Sequence, residues 1–173
     1  MKITTLDEVL ADELKDIYSA ETQLIKALPK MAKAAESNDL RKAFEKHLEQ
    51  TRIHAQRIEE ICSNLSIKPR GKKCVGMEGL LEEGKEVLQS DADPEPLQAA
   101  LIGAAQRVEH YEIAAYGTAR AHAKQLGYVK AVDLLSQTLE EEKQTDELLT
   151  KLAENRINVK AAMSDRSMAQ QVE

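Results

Sequence analysis

Tryptophan is absent from the 173-residue chain, Phe44 is the only phenylalanine, and glycine (7) and proline (4) are sparse. Little is present that would break a helix, and Ala, Leu, Glu and Lys, all good helix formers, dominate. The two cysteines, Cys62 and Cys74, lack metal-ligand spacing. They read as reduced, structural thiols of a cytoplasmic protein rather than as a disulfide or a catalytic nucleophile. No apolar run is long enough to span a bilayer, and MKITTLDEVL has no secretory apolar stretch before its first acidic residues. A broad basic field is also lacking. Lys and Arg number 24 against 30 Asp and Glu, for a net charge of −6, which argues against nucleic acid as the main partner. The short basic run 68–73 reads as a solvated loop.

What is present is a soluble-type balance, 42% apolar and 31% charged, in a length that suits one domain with a sizeable core. Apolar residues recur at alternating gaps of three and four, the mark of a packed helix face. The first such seam, in a helix over about 6–36, is Leu10, Leu14, Ile17, Glu21, Leu24, Leu28, Met31 and Ala35. Thr4 and Thr5 ahead of Asp7 and Glu8 supply a cap, and Pro29 predicts a kink near 25–29. Ser37-Asn38-Asp39 is a turn and a new cap. A helix over about 40–64 follows, with seam Leu40, Phe44, His47, Thr51, His54, Ile58, Ile61 and Leu65. So short a turn makes these two helices antiparallel neighbours.

The seam pattern stops between 66 and 96, except for a short amphipathic helix at 77–88. A connection of this length can cross the whole bundle. The third long helix, about 97–126, carries Leu101, Ala105, Val108, Glu112, Ala115, Ala119, His122 and Leu126 before the stop at Gly127. The fourth, about 129–155, carries Ala131, Leu135, Thr138, Glu142, Thr145, Leu149 and Leu152. The fold class is therefore all-α, a four-helix bundle over 1–155 with a long crossover carrying a short extra helix. Residues 156–173 read as a C-terminal extension, polar and frayed from Ser164. The two halves superpose without a gap at an offset of 91, with Leu10 on Leu101, Phe44 on Leu135 and Glu21 on Glu112. We read this as a duplicated helical hairpin.

The four seams bring polar residues to one depth: Glu21; Thr51 and His54; Glu112, with Glu109 a turn below; and Glu142, with Thr145 and Asp146 beside it. No Lys or Arg lies on any seam. Unpaired buried carboxylates are costly, so they must either keep their protons, as a polar layer setting helix register, or share a cation. Oxygen ligands with an imidazole suit iron, manganese or zinc better than copper. In di-iron carboxylate bundles, two helices each give a Glu and the other two each give Glu-x-x-His. Here Thr51-x-x-His54 lacks the Glu and Glu142-x-x-Thr145 lacks the His. The expected metal ligands are Glu21, His54, Glu112 and Glu142, one per helix, with Glu109, Asp146 and Gln50 as further candidates, around one or two divalent ions. His47 reads as an outer or plain core residue, His110 as solvent-facing and His122 as a helix C-terminal contact. Tyr18, Tyr111 and Tyr116 flank the layer as core tyrosines with bonded hydroxyls. In the run Glu140-Glu141-Glu142 only Glu142 turns inward. The glycines of 75–84 form no phosphate loop, since no strand precedes them and no Lys-Ser/Thr follows.

Several stretches are similar to a known family. Ile17-Tyr18-Ser19-Ala20-Glu21, Leu28-Pro29-Lys30-Met31, His47-Leu48-Glu49-Gln50-Thr51-Arg52-Ile53-His54, Val108-Glu109-His110-Tyr111-Glu112-Ile113-Ala114 and Thr138-Leu139-Glu140-Glu141-Glu142-Lys143 resemble the YciE/YciF family of ferritin-like bacterial stress proteins. The resemblance covers nearly the whole chain. It implies a ferritin-like bundle, a homodimer, a cytoplasmic stress-linked role and kinship with rubrerythrin-type di-iron proteins. It points to Glu21, His54, Glu112 and Glu142 as ligands, while Thr51 and Thr145 depart from a full di-iron set. Two functional readings follow. One is a metal-binding stress protein with peroxide- or oxygen-linked redox chemistry. The other is a non-enzymatic dimeric stress scaffold whose site is vestigial or holds a single metal. Storage of iron in a cage is a weaker third, since nothing in the sequence marks a cage interface.

Overall fold

The chain enters its first helix through a reciprocal cap. In the computed structural model, which describes residues 3–169, the Glu8 amide donates to Thr5 Oγ1 at 3.2 Å and the Thr5 amide donates to the Glu8 carboxylate at 3.2 Å. Two otherwise orphaned donors are satisfied at once. Helix α1 (Leu6–Ala34) then runs on through Pro29. Ser37 caps α2 (Asn38–Asn64), and the Arg41 guanidinium ties the turn by donating to the Ala35 carbonyl at 2.9 and 3.1 Å. The crossover carries α3 (Val75–Gln89), and α4 (Pro94–Gln125) starts on a proline, whose missing N–H costs nothing in a first turn. Gly127, at φ +77°, ends α4 in a left-handed turn, with the Tyr128 amide donating to the Ala123 carbonyl at 3.0 Å and the Gly127 amide to that of Lys124 at 3.2 Å. Helix α5 (Val129–Leu152) follows.

The expected ends of all five helices hold to within about one turn. The C-terminal extension differs. A π-helical segment, Ala153–Ile157, leads into α6 (Asn158–Ala169), where a frayed polar tail was expected from Ser164. The physical reason lies in burial: Leu149, Ala153 and Ile157, each four residues apart, all enter the same apolar cluster and anchor the chain beyond α5. Residues 170–173 of the expected tail lie outside the described residues.

Helices α1 and α2 form one hairpin and α4 and α5 the other. They pack with α1 on α4 and α2 on α5, while α3 lies across α1 and α4. This is the all-α four-helix layout with a crossover helix that the periodicity predicts. The offset of 91 places the last residue of α1, Ala34, on that of α4, Gln125, and the first residue of α2, Asn38, on that of α5, Val129. The core divides in two. One apolar cluster gathers Leu24, Leu28, Phe44, Ile102 and Leu149, and the other gathers Leu10, Leu14, Ile58, Tyr116 and Leu135. The polar residues of the four seams occupy the level between these clusters. No helix among the described residues is long and apolar enough to cross a membrane.

Candidate metal centre

Six side chains meet at that level, and none is more than 2% exposed: Glu21 from α1, His47 and His54 from α2, Glu109 and Glu112 from α4, and Glu142 from α5. They form two groups that share Glu142. One is Glu21, His54 and Glu142; the other is His47, Glu109, Glu112 and Glu142. Within each, one ligand atom per residue lies within 4.8 Å of the rest. His54 Nδ1 is 2.9 Å from Glu142 and 3.6 Å from Glu21. His47 Nε2 is 3.2 Å from Glu109 and 3.8 Å from Glu142.

The four residues expected to converge therefore do, and Glu109 joins them. Asp146 does not. It faces outward, accepting from Gln106 at 3.0 Å and lying 3.4 Å from the exposed His110. Gln50 is only partly buried, because it stands one residue off the α2 seam. His47, read as an outer or plain core residue, instead stands inside the second group. A seam shows which face a residue occupies but not what stands opposite it. Here Thr145 stands opposite, its hydroxyl 3.4 Å from His47 Nδ1. The imidazole that α5 lacks at Thr145 is thus supplied from α2, and the carboxylate that α2 lacks at Thr51 is made up by Glu109. The total, four carboxylates and two imidazoles, equals that of a di-iron carboxylate bundle.

Around the six runs a set of hydrogen-bonding neighbours. Glu141, expected to be solvated, instead reaches back to His54 Nε2 at 2.7 Å and receives both Arg57 Nη atoms at 2.6 and 3.1 Å. Arg57 also donates to Thr138 at 3.1 Å. The Thr51 hydroxyl donates to the His47 carbonyl at 2.8 Å. The buried Tyr116 hydroxyl donates to Glu21, while Tyr18 donates to Glu59 at 2.6 Å and Tyr111 to Asp16 at 2.8 Å. The tyrosine hydroxyls are therefore bonded, as expected. His122 pairs with Glu13 at 2.8 Å.

Burial dominates the electrostatics. It pushes Glu21 up to about 8, with the charges of Glu142 and Glu109 adding to the rise. Burial, reinforced by the charge of Asp146, pushes Glu109 to about 8. Glu112 rises well above the carboxylate range for the same reason, with Glu21, Glu142 and Glu109 against it, and burial raises Glu142 too. Burial alone would lower both imidazoles, and it does lower His47. For His54 the close approach of the Glu142 carboxylate and the charges of Glu21 and Glu142 outweigh it and lift the ring to about 9. Free of metal, the level is a store of protons.

The donor set fits a divalent ion. Among the described residues, eight buried side-chain nitrogen and oxygen atoms have no hydrogen-bond partner: Glu21 Oε2, His47 Nε2, His54 Nδ1, Glu109 Oε2, and both carboxylate oxygens of Glu112 and of Glu142. His54 Nδ1 belongs there because its close approach to Glu142 lacks hydrogen-bond alignment. An unmet buried polar atom costs roughly 1–3 kcal/mol, so eight in one place are a demand for positive charge. All eight come from the six residues and face one another.

Comparison with known proteins gives the same neighbourhood. The chain is 51% identical over 162 residues to protein YciF of Escherichia coli strain K12, spanning 93% of this chain and 98% of that protein. Its fold is similar to the crystal structure of the E. coli stress protein YciF, with a TM-score of 0.87 at 50% identity over 90% of this chain and 99% of the other. YcfI from Rhodopseudomonas palustris matches with a TM-score of 0.83 at 41% identity, over 86% and 95%. A Xanthomonas campestris protein, 19% identical, shares the fold with a TM-score of 0.73 over 95% and 99%. Within the resembled family the motifs read as YciE, whereas these relatives include YciF. Residues 5–162 match the family described as a domain of unknown function, DUF892, and with these relatives beside it the chain belongs to that family.

Proposed function

We propose that this protein is a ferritin-like, metal-binding stress protein that holds two divalent ions, iron or manganese before zinc, on either side of Glu142. One observation carries the reading: every unpartnered buried side-chain polar atom among the described residues belongs to the six residues of this level. Glu21, His54 and Glu142 would hold one ion. His47, Glu109 and Glu112, with Glu142, would hold the other. Carboxylate oxygens with imidazole nitrogens suit these metals.

When bound, such ions supply Lewis-acid and redox chemistry toward oxygen or peroxide. The chain does the rest. Tyr116 holds the Glu21 carboxylate by its hydroxyl. The apolar clusters on both sides keep water from the level. The raised carboxylates and His54 release protons as ions enter. The family resemblance and the acidic charge add a cytoplasmic homodimer without nucleic-acid or membrane partners to the same proposal.

The test is metal analysis of protein purified without chelator, followed by titration with Fe(II), Mn(II) and Zn(II) and by peroxide consumption after iron loading. About two ions per chain and peroxide turnover are expected. Protein that refuses all three metals overturns the reading. Metal uptake without peroxide turnover, together with a Glu142→Leu variant that loses both ions yet keeps full stress survival, would favour the non-enzymatic scaffold.

A further inference from the structure

Each imidazole has two nitrogens, and a metal takes the one whose proton has been placed on the other. At this centre the two rings face inward with opposite atoms. His54 presents Nδ1 to Glu142 and Glu21, at 2.9 and 3.6 Å, whereas His47 presents Nε2 to Glu109 and Glu142, at 3.2 and 3.8 Å.

The outward nitrogens meet partners whose roles are fixed. His54 Nε2 lies 2.7 Å from the Glu141 carboxylate, which Arg57 grips with both Nη atoms. An ionised carboxylate only accepts, so once the ring gives up one proton to an incoming ion the proton that remains sits on Nε2 and Nδ1 is left bare. His47 Nδ1 lies 3.4 Å from Thr145 Oγ1. That hydroxyl has one proton and donates it to the backbone carbonyl of Glu141 at 3.1 Å. Its oxygen is left as an acceptor, so His47 carries its proton on Nδ1 and leaves Nε2 bare.

We propose, resting on the metal-centre reading above, that the Glu141–Arg57 pair and Thr145 are two separate positioning devices: they dictate that His54 binds its ion through Nδ1 and His47 binds its ion through Nε2. Thr145 is then no relic of a missing ligand. It orients the imidazole that replaces that ligand. Glu141 serves one ring through its side chain and the other through its main chain, so changing its side chain removes only the first service.

That separation makes the test. The full-length protein is loaded with zinc, which is diamagnetic, and the histidine ring nitrogens are read by 15N NMR. In the wild type, His54 is expected to show a metal-bound Nδ1 with a protonated Nε2, and His47 the reverse. Glu141→Leu, combined with Arg57→Met so that no cation is stranded, is expected to scramble the His54 pattern alone and weaken zinc binding by about 10- to 100-fold. Glu141→Gln, which keeps an acceptor oxygen, is expected to restore it. Thr145→Val is expected to disturb His47 alone. The wild-type measurement needs no variant: zinc-loaded protein with either ring bound through its other nitrogen overturns the proposal. So do variants that lose thermal stability while both ring patterns stay as in the wild type. Refusal of zinc by the wild type would instead fail the metal-centre reading itself.

Discussion

His47 Nε2 lies 3.2 Å from a carboxylate oxygen of Glu109, two residues that the duplicated hairpin pattern does not pair. Their meeting restores a ligand count that Thr51 and Thr145 had broken. It also confines the repair to one side of Glu142, since neither His47 nor Glu109 belongs to the group around Glu21.

A change at His47 should therefore affect one ion and spare the other. His47→Leu is expected to halve the metal content, from about two ions per chain to about one. Thermal stability of the metal-free protein should stay within about 1.5 kcal/mol, because the ring gives way to an apolar side chain in a packed level. Metal analysis with calorimetry checks both expectations.

Glu142 is shared, and its loss should be felt on both sides. Glu142→Leu is expected to abolish both ions rather than one. Glu112→Leu should abolish only the ion beside His47. In the metal-free state Glu112→Leu should be as stable as the wild type or more so, by up to about 4 kcal/mol, since a buried carboxyl without a partner is replaced by a hydrocarbon of similar volume, whereas Glu142→Leu, which takes the nearest carboxylate away from His54, should be less stable. Denaturant unfolding in chelator measures the change in stability, and metal titration measures the loss of ions.

Stability should depend on pH in the direction opposite to ordinary acid denaturation. In the fold Glu21 and Glu109 keep their protons up to about 8, against 4.5 for an exposed glutamate, and His54 keeps its proton up to about 9, against 6.5 for an exposed histidine. Between those limits the folded chain binds more protons than the unfolded one, so the derivative of unfolding free energy with pH is negative. The contribution is complete below about pH 4.5 and is lost as pH climbs through 8 to 9. Tm of chelated protein should fall over that climb. Manganese, which displaces the same protons, should flatten or reverse the slope, with tighter uptake at higher pH.

Outside the centre, Gly76 is sterically required. A Cβ there would stand 2.7 Å from Tyr111 Cε2, and the ring cannot swing away without breaking its bonds to Asp16 and Cys74. Gly76→Ala is expected to cost about 1–3 kcal/mol by crowding alone, read as a lowered denaturation midpoint with an unchanged slope.

Much of this was legible in the chain. Thr5, Ser37 and Gly127 mark helix ends by chemistry that acts within one turn, and they mark them correctly. Glu21, Glu112 and Glu142 stand out because a carboxylate in an apolar seam has no cheap explanation. What escaped depends on relations between helices. His47 sits on its seam in plain view, but its proximity to Glu109 depends on how far α2 is shifted along α4, which periodicity does not record. Glu141 looks solvated because its partner, Arg57, lies on another helix. Asp146 looked eligible because it follows Thr145 directly, yet that one-residue step turns it outward to Gln106. Helix α6 escaped because it carries no apolar seam of its own, its Val159 and Met163 being exposed.

An exact duplication would give two equivalent halves, and the two positions beside Glu142 are not equivalent. Two carboxylates and His54 frame one position; three carboxylates and His47 frame the other. For the proposed pair of ions the position framed by three carboxylates would hold its ion the more tightly, so the two would be expected to fill in a set order.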